Sequence, residues 1–354
     1  MNITDTILYC KSGSHAYGTN LPTSDEDFRG VFIPSEDYYI GLLKVEQEIS
    51  NIDGKDVVIY ELKKYIQLAA DCNPNILELL FCAQDDVLWE TKEGKILRDN
   101  REKFLSKKAR HTFSGYAMSQ LKRIESHRRW LLNPPTHKPL RSEYGLPDKP
   151  TLNNSQLGAA LSLMQKKVDS WDMDLEPLSE AAKIEFGNKL AEVLAEMSLS
   201  TKNEKTLAAG KSIGFDDDFL EVIKQEQRYQ SALNEWKQYG NWKESRNQAR
   251  SELELKHGYD CKHGMHLVRL MRMCREILEL GEVMVKRPDA KELLEIRNGA
   301  WSYDKLIGWA KEQDQLMGEL YTKSALRNKP DMNYFNELSK QLIRERLFND
   351  KSRI

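Results

Sequence analysis

Near residue 105 the hydrophobic period of the chain changes, and few architectures accommodate such a change. Before that point, short apolar runs alternate with helical spacing. Ile7-Leu8-Tyr9-Cys10, Asp27 to Ile33 and Val57 to Tyr60 read as strands. Leu62, Tyr65, Ile66 and Ala69 recur at helical intervals, Asn73-Pro74 stops that helix, and Ile76 to Leu80 opens another. Beyond it the strand signal fades and long helical patterns take over at roughly 106–132, 155–172, 177–198, 215–238, 262–281 and 332–349. The reading is an α+β chain, with a strand-and-helix domain over 1–105 and a mainly helical domain over 106–354. Asn133 to Pro150, with five prolines, and Ser200 to Lys211, with Lys202, Lys205 and Lys211, read as long loops.

The 354 residues have a formal net charge of −2, so any basic binding surface has to be local. Charged residues make up 31% of the chain, which suits a helix-rich protein with solvated faces. No apolar run approaches the ~18 residues of a membrane span, and Met-Asn-Ile-Thr-Asp-Thr offers no basic start for a secretory signal. Cys10, Cys72, Cys82, Cys261 and Cys274 are odd in number, widely spaced and form no C-x-x-C. That pattern points to reduced thiols and a cytoplasmic location, with neither a disulfide framework nor a structural zinc site.

One constellation carries chemistry. Gly13-Ser14 follows the first strand and opens a short helix, and ten residues separate Ser14 from Asp25-Glu26-Asp27. A helix N-terminus with a glycine for close approach and a serine hydroxyl suits a phosphate. Asp25 and Asp27, two apart at the start of a strand, project to one side. Adjacent carboxylates repel unless a cation lies between them. Hard Mg²⁺ fits when substrate phosphates complete its shell, and a pair of such ions serves phosphoryl displacement. A third carboxylate is expected from a neighbouring strand. Asp56 and Glu61 flank Val57–Tyr60, and Glu61, at the strand's end, is the expected one. The plain alternative is a capped, solvated turn at Ser24-Asp25-Glu26-Asp27. The ordered combination of strand, Gly-Ser, loop and Asp-x-Asp entering a strand favours the catalytic reading.

Gly13-Ser14-His15-Ala16-Tyr17-Gly18 with Ser24-Asp25-Glu26-Asp27-Phe28-Arg29-Gly30-Val31-Phe32 resembles the polymerase-β-type nucleotidyltransferase superfamily, and more closely the RlaP (RNA-ligase-associated) predicted nucleotidyltransferases. The resemblance extends to Asn73-Pro74-Asn75-Ile76-Leu77-Glu78-Leu79-Leu80-Phe81, His127-Arg128-Arg129-Trp130, the run from Lys262 to Leu270, and Leu294-Glu295-Ile296-Arg297-Asn298-Gly299. Roughly 155–255 has no counterpart in it. It implies a small mixed-sheet nucleotidyltransferase core with a helical companion domain, and two-metal transfer of a nucleoside monophosphate from an NTP. Mg²⁺ is the implied cofactor, with Mn²⁺ as its substitute. The family motif falls on Gly13, Ser14, Asp25 and Asp27. Its third acidic position does not match cleanly, which leaves the base in question. The family name points to RNA repair.

Two basic features could hold the substrates. On a helix from Lys262, the residues Lys262, His266 and Arg269 form a stripe bordering the apolar face of Leu267, Leu270, Met271, Cys274, Ile277 and Leu278. At a cleft edge such a stripe would bind a triphosphate or an RNA phosphate; otherwise it is a solvated helix edge. Ser106 to Trp130 sets seven Lys and Arg against Glu125, a local charge of +6, with His111, His127, Tyr116 and Trp130 interleaved. That mixture suits phosphate contact and base stacking, or a solvated helix face with aromatic anchors. Arg297-Asn298-Gly299 reads as a helix end capped by the glycine. The leading functional expectation is nucleotidyl transfer to RNA. The alternatives are nucleotidylation of a protein or small molecule, and a catalytically silent nucleotide-binding regulator.

Overall fold

A computed structural model describes residues 5–50, 54, 56–170, 202–246 and 248–348. The expected helical segment 177–198 lies outside the described residues. Five strands form one mixed sheet: β1 (Thr6–Ser12), β2 (Asp27–Phe32), β3 (Glu48–Ser50), β4 (Asp56–Glu61) and β5 (Val87–Glu90), in the order β3-β4-β2-β1-β5. β1 runs antiparallel to β2 and β5, β3 antiparallel to β4, and β2 parallel to β4. The parallel pair needs a long crossover, which residues 33–55 supply with α2 (Glu36–Tyr39) and β3. Strands β3 and β5 went unread in the sequence. They are three and four residues long and carry no fully buried position, so they have no alternation to detect.

The remaining helices of the sheet region are α1 (Gly13–Tyr17), α3 (Leu62–Ala70), α4 (Pro74–Phe81) and α5 (Lys92–Asp99). Then come α6 (Ala109–Leu132), α7 (Asn154–Asp169), α8 (Lys202–Ser212), α9 (Asp217–Glu244), α10 (Gln248–His257), α11 (Cys261–Leu280), α12 (Ala290–Arg297), α13 (Tyr303–Lys323) and α14 (Met332–Phe348). The chain is thus α+β, a small mixed sheet followed by a mainly helical region. Ser200–Lys211, read as a loop, is helical from Lys202. Its sequence is polar, but Ala209 is buried and Leu207 packs against the core formed by Leu157, Met164, Leu220 and Ile223.

Contacts divide the chain into one compact unit of 1–132 with 247–354 and another of 133–246. Residue 105 lies inside the first unit. Phe104, Ala109, Phe113 and Ala117 share a buried core with Ile7 and Leu8 of β1, Leu77 and Leu80 of α4, and Met271 and Cys274 of α11. Much of the expected helical domain therefore closes the sheet's own core, because α6 and α11 add their apolar faces to those of α3 and α4. The other face of the sheet carries a smaller cluster of Tyr9, Phe32, Val57 and Ile59. All five cysteines are free and buried, and among the described residues no helix is long and apolar enough to cross a membrane.

Candidate active site

One end of the sheet collects the motif. Ser12, the last residue of β1, pairs with Asp27, the first of β2, and Asp27 pairs with Asp56, the first of β4. With a side-chain period of two, residues directly opposite in a ladder share a face, so Asp27 and Asp56 stand side by side. Burial raises the Asp27 carboxyl above the ordinary carboxylate range. The Asp56 charge and a side-chain hydrogen bond with Asp56 raise it further, Arg29 opposes this, and Asp25 adds a smaller upward push. Asp25 is exposed in the loop just before the strand, so it joins Asp27 from a loop and not from within β2. Arg29 Nη1 lies 3.2 Å from Asp56 Oδ1 and donates to the Phe28 carbonyl at 2.8 Å.

Glu61 is elsewhere. It pairs with Phe32 at the far end of the β2–β4 ladder, five residues along, or about 16 Å at strand rise. Its side chain is fully buried and caps α3, accepting from the Lys64 N–H at 2.9 Å and from the Tyr39 hydroxyl at 2.9 Å. The expected third carboxylate is therefore misplaced. Parallel pairing brings the beginning of β4, not its end, beside the beginning of β2, and Asp56 occupies that place.

Gly13 has φ +63°, and a Cβ built on it would stand 1.9 Å from Asp27 Oδ2. The glycine is where the carboxylate lies against the backbone. Helix α1 has only five residues, too few to build much of a macrodipole. The contribution of Gly13-Ser14 is thus room and placement more than a helix field. Gly18 ends the turn in the left-handed conformation, with its N–H directed at the carbonyls of His15 and Ser14.

Distant elements hold α1. The buried Tyr17 hydroxyl donates to Glu78 Oε2 of α4 at 2.5 Å. Arg269 of α11 pairs with Glu78 Oε1 and stacks its guanidinium 3.8 Å from the centre of the Tyr17 ring. The Arg287 N–H donates to the Tyr17 carbonyl at 3.1 Å, and Arg297 Nη1 lies 3.5 Å from the Thr19 carbonyl. Burial, above all, raises the Tyr17 phenol well beyond the usual range and keeps it a donor. Glu78 lay in plain view within a family-like block, but its role did not, because its partners Tyr17 and Arg269 are 61 and 191 residues away.

That arrangement revises the basic stripe. Arg269 is buried and spent on Glu78 and Tyr17, so it does not present a charge to a ligand. Burial, followed by the charges of Arg269, His263, Lys262 and Arg297, depresses the His266 imidazole to about 3, which keeps it neutral at physiological pH. Lys262 is exposed, so the three residues do not act as one cationic row.

The basic segment 106–130, most of it α6, also divides. Arg110 pairs with Asp314 and Lys108 with Asp71, while Arg128 donates to the Gly258 carbonyl at 2.7 Å and covers the Tyr303 ring. Trp130, expected as a stacking face, is buried and packs on His127. Lys122, Arg123, Arg129 and Tyr116 are exposed. Asn298 and Gly299, with φ +91° at the glycine, end α12 as the sequence suggests.

Over 126 residues the chain is 32% identical to the "uncharacterized 38.9 kDa protein in nrdC-mobD intergenic region" of Enterobacteria phage T4. The match takes in 32% of this chain and 37% of that protein, little more than a third of the relative's length. No solved structure matches. Residues 2–135 match the model of RlaP, the RNA repair pathway DNA polymerase beta family. That segment, which holds the whole sheet, α1 and the three carboxylates, is similar to this family, a polymerase-β-type family linked to RNA repair.

Proposed function

We propose that this chain is a divalent-metal-dependent nucleotidyltransferase that moves a nucleoside monophosphate from an NTP onto RNA. The observation that carries the reading is the in-register pairing of Asp27 with Asp56, with Asp25 beside them, where Gly13 leaves room for a carboxylate. The facing Asp27 and Asp56, one of them with a raised proton affinity, and Asp25 in the loop just before β2 offer an oxygen-only donor set. They fit Mg²⁺, or Mn²⁺ in its place. A bound pair of such ions supplies charge neutralisation for the attacking and leaving oxygens of the displacement.

In the transfer, an acceptor hydroxyl oxygen forms a bond to the α-phosphorus of the NTP. The bond to the bridging oxygen breaks, pyrophosphate leaves, and the hydroxyl proton is lost to a base. Asp25, Asp27 and Asp56 would hold the cations, and Asp56, the more exposed of the facing pair, is positioned to take that proton. The Tyr17–Glu78–Arg269 network keeps α1 and the Gly13–Ser14 turn in place beneath them. Exposed Lys122, Arg123 and Arg129 with Tyr116 on α6 form the surface suited to an RNA backbone and an unstacked base.

The test combines α-labelled NTPs and Mg²⁺ with total RNA or a cell-protein extract. Label is expected in RNA. Label in protein alone would overturn the acceptor, and label in neither, the activity. Asp56→Asn should lower transfer by about 100-fold or more. Glu61→Gln should retain transfer and lose about 1 kcal/mol of stability through its weakened cap. An active Asp56→Asn protein would refute the assignment of the third carboxylate.

A further inference from the structure

A second cluster of metal-ligand chemistry lies away from the three aspartates. His127 stands near the end of α6, Asp260 is the N-cap of α11, and His263 lies in the first turn of that helix. One ligand atom from each falls within 4.8 Å of the others. Asp260 Oδ2 is 3.6 Å from His127 Nδ1 and 3.5 Å from His263 Nε2. Asp260 Oδ1 is separately engaged, accepting from the His263 N–H at 3.1 Å.

Those separations have a specific meaning. They exceed the ~2.7–2.9 Å of a charge-assisted hydrogen bond. Ligands about 2.0–2.1 Å from a tetrahedral ion stand roughly 3.3–3.4 Å from one another. The Asp260–imidazole spacings are close to that edge, with the carboxylate fully buried and the two imidazoles 14% and 15% exposed. The rings are 5.7 Å apart and tilted by 49°, so they approach the carboxylate from different directions.

The supports are already in place. His127 stacks on the buried Trp130 with ring centres 5.5 Å apart. Its neighbour Arg128 binds the Gly258 carbonyl, and the Tyr259 hydroxyl binds the Trp301 carbonyl at 2.8 Å. These contacts hold the turn before α11 against α6, and the ligand positions need little rearrangement to close on an ion.

We infer that His127, Asp260 and His263 bind a divalent transition ion of the zinc class, which bridges α6 and the start of α11. Two imidazole nitrogens and one carboxylate oxygen suit Zn²⁺ and its neighbours, and they disfavour Mg²⁺, which takes oxygen ligands. The ion braces the helix whose Arg269 grips Glu78 and Tyr17 beneath the candidate active site. Three protein ligands leave a fourth position for water. This inference does not depend on the nucleotidyltransferase reading, since neither its residues nor its metal are shared with the aspartates.

Cobalt tests it. The full chain, stripped with chelator and carrying Asp25→Asn and Asp27→Asn, is titrated with Co²⁺ and followed by visible absorption. One saturable ion with the intense bands of four-coordinate cobalt is expected, displaced by Zn²⁺ and not by Mg²⁺. His127→Gln and His263→Gln should each weaken binding by at least about 100-fold, while His111→Gln, elsewhere on α6, should leave it unchanged. His263→Gln keeps the backbone N–H that Asp260 caps. Absence of a saturable band, or equal affinity in the histidine variants, would overturn the site. If either variant fails to fold, X-ray absorption of the zinc-loaded parent decides: a shell without two imidazoles rules the site out.

Discussion

Gly13→Ala and Gly18→Ala form a matched pair that separates backbone strain from the placement of Asp27. Gly13 opens the five-residue helix α1 and Gly18 caps its end, and both have positive φ, +63° and +73°. An alanine in the left-handed region costs about 1–2 kcal/mol, offset by roughly 0.4–1 kcal/mol through the stiffened unfolded chain. Each variant should therefore lose about 1 kcal/mol, or about 2–4 °C in Tm for a unit of this size. What differs is the space. The nearest atom to a Cβ at Gly18 is the Ala290 methyl at 3.8 Å, an ordinary contact. At Gly13 it is Asp27 Oδ2 at 1.9 Å, with Cγ at 2.8 Å. The carboxylate has to shift by about 1 Å or more from its place against the Gly13 backbone. A displacement of that order costs about 100-fold in rate at a reacting centre and about 10–100-fold in metal affinity. Mn²⁺ binding followed by electron paramagnetic resonance, beside thermal melting of the same samples, reads both effects. Gly18→Ala should melt lower and bind Mn²⁺ normally. Gly13→Ala should melt similarly and bind at least tenfold more weakly. Equal Mn²⁺ affinity in two folded variants would refute the reasoning.

Two further outcomes follow from the buried charges. Glu78→Leu leaves Arg269 unpaired in the core and should cost about 3–5 kcal/mol; adding Arg269→Met should recover much of it in urea unfolding, and a double variant no more stable than the single one would show that the pair does not hold α1. His266 stays neutral in the native state down to about pH 3, whereas the unfolded chain takes up its proton near pH 6.5. Stability should therefore fall as pH drops from about 6.5 towards 3, by up to ~1.4 kcal/mol per unit from this residue, and His266→Gln should remove that part of the slope in unfolding measured across the range.

The motif was legible because its parts are local. A strand, Gly13-Ser14, a loop and Asp25-Glu26-Asp27 lie within a few residues of one another, and β1 with β2 is a simple antiparallel pair. Helices α6, α7, α11 and α14 were legible as well, since each repeats an apolar period over four turns or more. Helix α13 was not singled out, and β3 and β5 were too short and too exposed to show a period.

Other features needed the third dimension. Residues flanking a strand look equivalent in sequence, and only the parallel register of β4 against β2 put Asp56 beside Asp27 and sent Glu61 to cap α3. A basic residue at the border of an apolar face looks like a cleft edge; Arg269 is instead a buried brace, because Glu78, 191 residues away, meets it in the core. His127 and His263 each stood in a recognisable block, yet their meeting at Asp260 depends on how α6 crosses α11. The sequence by itself determined most of the longer elements and the grouping of Gly13, Asp25 and Asp27, because hydrophobic period and nearest-neighbour spacing are local properties. Only the tertiary structure decided which carboxylate lies beside Asp27, which cations are buried in ion pairs, and where His127, Asp260 and His263 meet, because strand register and helix crossing bring together residues that the chain keeps far apart.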